Sequence, residues 1–92
     1  MEIRLYATLR PIVGGRTVEV PERCTTIGDV LSQLSADYPD LAPHLLDEDG
    51  AVRRYVAVMV NGRDIRHLDG LKTAVGSEDG IDIFPPVAGG AA

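Results

Sequence analysis

One stretch of this chain has a helical period, and the other regular stretches alternate. Ile27, Val30, Leu31 and Leu34 stand at i, i+3, i+4 and i+7, the spacing that lines apolar side chains along one face of an α-helix. Thr26 precedes them and Asp29 follows it by three residues, a pattern that caps a helix start. Pro39 disfavours helical geometry in the residue before it, so the helix is expected to end near Tyr38. A further short turn of helix is expected between Leu41 and Leu46.

Strand patterns lie on both sides of that helix. Met1, Ile3, Leu5, Ala7 and Leu9 alternate with Glu2, Arg4, Tyr6 and Thr8, as a strand with one buried face does. Arg10-Pro11 and Gly14-Gly15 bracket a turn or loop. Arg16-Thr17-Val18-Glu19-Val20 alternates again, so the first two strands are expected to pair as a hairpin before Pro21 ends the second. Downstream, Val56, Val58 and Val60 make a third strand. Asn61-Gly62 tolerates the positive φ of a tight hairpin, and Arg63-Asp64-Ile65-Arg66 is read as a short fourth strand. His67 to Val75 is irregular, with room for a 3₁₀ turn. Ile81-Asp82-Ile83-Phe84 is the last strand, and Pro85-Pro86 stops it by removing backbone donors and holding the chain extended.

The order is therefore β-β-α-β-β-β. A single amphipathic helix on a mixed sheet buries both apolar faces, with the first and last strands side by side in the sheet centre. This is the β-grasp arrangement, an α+β fold. The expected division is a β-grasp domain over residues 1–86 and a flexible tail over residues 87–92.

Charge and composition exclude several functions. Nine basic against fourteen acidic residues give a net charge of −5, which argues against nucleic acid as a partner and for a basic surface on a partner protein. No apolar run approaches the roughly 18 residues of a membrane span, and Met1-Glu2-Ile3-Arg4 lacks the pattern of a secretion signal. One cysteine forbids an internal disulfide, and a cytoplasmic location is expected. Cys24 has a basic neighbour in Arg23 but no histidine nearby in sequence, and is read as a structural thiol. His44 and His67 stand apart without metal-ligand spacing. Asp47-Glu48-Asp49-Gly50 lacks the spaced ligands of a calcium loop and is read as a solvated loop. No cofactor and no metal are expected.

The end of the chain is harder to explain as structure. Past the two prolines come Val87, Ala88, Gly89, Gly90, Ala91 and Ala92, too small to add to a core. Extended, the stretch from Phe84 to Gly90 reaches roughly 20 Å, a thin peptide suited to a narrow channel. A glycine near the end fits acyl chemistry. A carboxylate must be activated before it reacts, and the missing Cβ lets the chain approach a nucleotide phosphate and then a sulfur nucleophile.

Several segments carry a resemblance. They are Val60-Asn61-Gly62-Arg63, Leu68-Asp69-Gly70-Leu71-Lys72-Thr73, Asp79-Gly80 and Phe84-Pro85-Pro86-Val87-Ala88-Gly89-Gly90. Together they resemble the MoaD/ThiS family of ubiquitin-like sulfur-carrier proteins over nearly the whole chain. Thr8-Leu9-Arg10-Pro11 with Gly14-Gly15, and Arg53-Arg54-Tyr55-Val56 with Asn61, resemble the CysO branch, which carries sulfur for cysteine synthesis. The small subunit of molybdopterin synthase ends in a similar way, and a ubiquitin-like protein modifier shares the activation step.

The resemblance implies a co-substrate and not an enzyme. An E1-like enzyme adenylates the Gly90 carboxylate, which becomes a thiocarboxylate. The sulfur then passes to a second enzyme, cysteine synthase-like or the molybdopterin synthase large subunit. Pro85, Pro86, Val87, Ala88 and Gly89 thread the partner's channel, while Phe84 and Arg63 are the expected docking residues. The departure is Ala91-Ala92. While they are attached, Gly90 has an amide and no free carboxylate: either a peptidase trims the tail first, as a zinc metalloprotease of the JAMM class does in some relatives, or the chain is inactive as a carrier, or the two alanines are not native to it.

Overall fold

A computed structural model describes residues 1–86. Five strands form one sheet in the order β2-β1-β5-β3-β4. They are β1 (Glu2–Leu5), β2 (Thr17–Glu19), β3 (Ala57–Val60), β4 (Arg63–Asp64) and β5 (Ile81–Phe84). β5 is the centre. It pairs in parallel with β1, Ile3 opposite Ile81 and Leu5 opposite Ile83, and antiparallel with β3, Ala57 opposite Phe84 and Val60 opposite Ile81. The first and last strands are thus neighbours, as the alternation implied, and the fold is the β-grasp.

Three helices complete it: α1 (Arg10–Val13), α2 (Ile27–Asp37) and α3 (Ala42–Leu45). The Thr26 side chain accepts from the Asp29 amide at 3.1 Å, while the Asp29 carboxylate reaches back to the Thr25 amide at 3.0 Å. Two donors at the helix start are thereby satisfied. Those bonds, led by the one from the Thr25 amide, hold the Asp29 carboxyl below its ordinary pKa. Ile27, Val30, Leu31 and Leu34 are buried, facing Ile3, Leu5, Val58, Ile81 and Ile83 of the sheet. Leu41 and Leu45 close the core at the far end of α2.

Two expectations about strand length are corrected. β1 does not run on to Leu9. It stops at Leu5, and the chain turns through a 3₁₀ segment, Ala7–Leu9, into α1. Pro11 sits in the first turn of α1, where its missing amide costs nothing, and the Arg10 Nε donates to the Leu5 carbonyl at 2.9 Å, ending the ladder. Leu9 is still fully buried, so its apolar position was read correctly but its route was not. Gly14, at φ 76, then ends α1 in the left-handed region.

β4 is likewise shorter than the four residues expected. Asn61 and Gly62 have φ of 51 and 83, the pairing a tight hairpin requires. After Asp64, however, its own carboxylate accepts from the Arg66 amide at 2.8 Å and starts the 3₁₀ turn Ile65–His67. The hairpin is tied to the start of β5. The Asn61 side chain accepts from the Gly80 amide at 2.8 Å and donates to Asp79 at 2.9 Å.

Candidate functional site

Alternation divides the sheet into two faces. Ile3, Leu5, Val58, Val60, Ile81 and Ile83 turn to the helix, so Arg4, Tyr6, Met59, Asp82 and Phe84 turn outward. Because β1 and β5 are parallel, Tyr6 arrives beside Phe84. Their rings stack with centroids 4.2 Å apart and planes 12° from parallel. Asp82 lies between Arg4 and Tyr6 in the same row. It accepts from the Tyr6 hydroxyl at 2.7 Å and pairs with the Arg4 guanidinium at 2.7 and 2.9 Å. The hydrogen bond to Asp82, with partial desolvation, holds the Tyr6 phenol above its ordinary pKa. The outer face therefore has a fixed aromatic floor at the end of β5. Phe84 is half-buried on it, Pro85 is buried and Pro86 is exposed.

Arginines flank the point where the chain leaves β5. On the β1 side, Arg10 lies over the Tyr6 ring, 5.2 Å from its centroid. On the β3 side are residues 53–56, which lead into Ala57 opposite Phe84. Arg66 holds this segment. Its guanidinium donates to the carbonyls of Val56 at 2.8 Å, Arg53 at 2.9 Å and Arg54 at 3.1 Å, and also contacts the Asp64 carboxylate. Arg53 in turn donates to the Pro43 carbonyl of α3. The segment presents Tyr55, 69% exposed, with the Arg54 guanidinium over its ring at 5.4 Å.

The residues expected to act from sequence are distributed unevenly. Phe84, Pro85 and Pro86 stand at this exit. Val87, Ala88, Gly89, Gly90, Ala91 and Ala92 lie outside the described residues. Arg63 is exposed on β4 and in register with Val60, which puts it on the helix side of the sheet edge and not on the face of Phe84. The acidic loop closes on itself, Asp47 accepting from the amides of Asp49 and Ala51. Cys24 is buried against the Asp29 carbonyl at the start of α2. His44 and His67 are exposed, and among the described residues no group of metal-ligating side chains is assembled. Also among them, no helix is long and apolar enough to cross a membrane. Sequence reasoning missed Tyr6, Arg10, Tyr55, Arg66 and Asp82. The alternation of β1 and β5 already put Tyr6 and Asp82 on the outer face, but nothing in it marked Arg66 as a clamp.

The sequence profile of the ThiS family matches residues 3–90. The chain belongs to the ThiS family. It is 46% identical over 92 residues to small archaeal modifier protein 3 of Haloferax volcanii, covering 98% of both chains. It is 39% identical over 90 residues to the sulfur carrier protein CysO of Mycobacterium tuberculosis, covering 96% of each. The crystal structure of that CysO superposes with a TM-score of 0.80 at 34% identity, covering 94% of this chain and 98% of the other. A chain of the BexX/CysO complex of Amycolatopsis orientalis superposes at 0.81 with 25% identity, covering 94% of each. This ThiS-family chain is thus of the sulfur-carrier and ubiquitin-like modifier class, a protein acted upon by enzymes and not an enzyme itself.

Proposed function

We propose that this ThiS-family protein carries sulfur on the carboxyl group of Gly90 after Ala91-Ala92 is removed, and delivers it for the synthesis of cysteine or a related compound. The observation that carries the reading is the position of the exit. The tail starts from the central strand, on a floor fixed by the Tyr6–Phe84 stack and the Asp82 network. A rigid base of this kind lets a partner engage the domain while the small residues beyond Pro86 enter its channel. The family match supports Gly90 as the terminus, since it runs to residue 90 and stops before Ala91.

The chemistry follows from valence. A peptidase, of the JAMM metalloprotease class by the resemblance, first hydrolyses the Gly90–Ala91 amide and leaves a free carboxylate. A carboxylate oxygen then attacks the α-phosphorus of ATP in an E1-like enzyme, and pyrophosphate leaves. A sulfur nucleophile attacks the acyl carbon and AMP departs. With hydrosulfide as that nucleophile, loss of its proton leaves the carboxyl end holding sulfur in place of one oxygen. An accepting enzyme, cysteine synthase-like in this reading, transfers the sulfur to its substrate, and water then cleaves the remaining acyl bond to restore the carboxylate for reuse.

A second reading is a protein modifier, favoured by the 46% identity to an archaeal modifier protein. There the activated Gly90 acyl group goes to an amine. Within this chain the side-chain amine is Lys72, one lysine against eight arginines, while the Met1 amine is bonded to Val20 and Glu19 and buried. Tandem mass spectrometry of cell-derived protein separates the readings. Sulfur on the Gly90 carboxyl supports the carrier, whereas isopeptide bonds from Gly90 to lysines, Lys72 included, without any thiocarboxylate would contradict it.

A further inference from the structure

We propose that the exit of β5 is ringed by a preformed arginine–tyrosine docking surface, made for a partner whose channel mouth is acidic and has an apolar slot for the Tyr55 ring. The inference rests on the reading above, that an enzyme takes in the tail, and specifies the surface of that enzyme.

The first argument is preorganisation. Arg66 binds the carbonyls of Val56, Arg53 and Arg54, on both sides of Tyr55, at 2.8, 2.9 and 3.1 Å, and Arg53 ties the same segment to α3. A turn exposed to solvent has no need of so many side-chain bonds to its backbone. Their effect is to hold Tyr55 outward at 69% exposure. A lone exposed tyrosine is ordinary. A tyrosine fixed in place before binding is what an interface anchor requires, because the ordering cost is met during folding.

The second argument is charge. The chain carries −5 overall. Yet Arg10, Arg53 and Arg54, on either side of the exit, form no ion pair among the described residues. Arg10 and Arg54 lie against tyrosine rings instead, which orients their guanidinium groups without neutralising them. Fixed, unpaired cations around an exit complement carboxylates around an entrance. Net charge alone pointed to a basic partner, but it averages over the whole surface. The sign at the exit is the opposite one.

The third argument is position. Ala57 pairs with Phe84 and Tyr6 stacks on it, so the arginines and Tyr55 flank the strand end that feeds the tail. A partner seated there engages collar and tail together.

The experiment measures binding of the full-length chain to the E1-like adenylating enzyme of the same organism by calorimetry, at several salt concentrations. The variants are Tyr55→Ala and the pair Arg53→Glu with Arg54→Glu, and Arg23→Glu is the control. Arg23 is exposed before α2 and bonded to Gln33, away from the exit. The proposal expects each collar variant to weaken binding about tenfold or more, the double reversal to flatten the salt dependence, and Arg23→Glu to stay within about twofold. Thermal unfolding of each variant verifies the fold. If the wild type binds and the collar variants bind equally well, or Arg23→Glu is as damaging, the collar is wrong and the carrier reading stands. If the wild type itself fails to bind, both are overturned.

Discussion

Replacing Arg66 with lysine tests whether the segment before β3 is clamped or merely touched. The charge is kept and the planar fork is lost. Arginine reaches the carbonyls of Arg53, Arg54 and Val56 at once, whereas an ammonium group on a flexible stem does so poorly. Each such bond contributes about 0.5–1.5 kcal/mol net. Two of the three face solvent, where water takes over part of the lost role, so Arg66→Lys should cost about 1–2 kcal/mol in total. For a domain of this size, each kcal/mol lowers the melting temperature by roughly 4–8 °C. Urea unfolding should show the loss as a shifted midpoint with an unchanged slope. Amide exchange should quicken at Val56, whose N–H bonds to the Arg53 carbonyl at 3.0 Å. An unchanged midpoint with unchanged exchange at Val56 would refute the clamp, and would remove the preorganisation on which the collar depends.

Other outcomes follow from the same structure. Ile83, fully buried on the central strand, should lose about 0.5–1.5 kcal/mol as Ile83→Val, read by chemical unfolding; no loss would mean that β5 is not the core strand. Asp29, with its pKa lowered chiefly by the Thr25 amide, adds stability that is present above the ordinary value of about 3.9 and lost as pH falls through the lower folded value. Asp29→Asn should remove that acid-side component, and superposable acid limbs for variant and wild type would contradict it. Tyr6, with its pKa raised chiefly by Asp82, adds stability that is present below about 10 and lost as pH rises through the higher folded value. The ultraviolet phenolate transition missing in Tyr6→Phe should lie above the ordinary range, and a transition at or below it would sink the Asp82 bond.

Much of the fold was legible in the sequence, because local pattern and tertiary demand agree in it. The period of Ile27, Val30, Leu31 and Leu34 matches the buried face of α2, and Asn61-Gly62 supplies the positive φ of the β3–β4 hairpin. The pattern misled where side chains reach back to the backbone. Leu9 kept its alternating burial while Arg10 and Pro11 turned the chain into a helix, and Asp64 ended β4 by bonding to the Arg66 amide. A binary apolar pattern cannot distinguish these, since the decisive bonds are polar and local. At the site, the alternation revealed the outward row of Arg4, Tyr6, Asp82 and Phe84. Arg63 lies on the helix side of the sheet edge because its face is set by its pairing with Val60, a register that the sequence does not display. The role proposed for Gly90 rests on resemblance and chemistry, for periodicity marks strands and helices and not a reacting carboxyl.

The central claim is that a free Gly90 carboxyl becomes a thiocarboxylate. Intact-mass measurement tests it most directly, after incubation with ATP, magnesium, a sulfur source and the E1-like enzyme of the same organism. The chain ending at Gly90 should gain the mass difference between sulfur and oxygen, and the chain ending in Ala91-Ala92 should stay unchanged until a peptidase trims it. Thiocarboxylation with both alanines still attached would contradict the assignment to Gly90. If neither form reacts where an established carrier does, the carrier account itself is refuted.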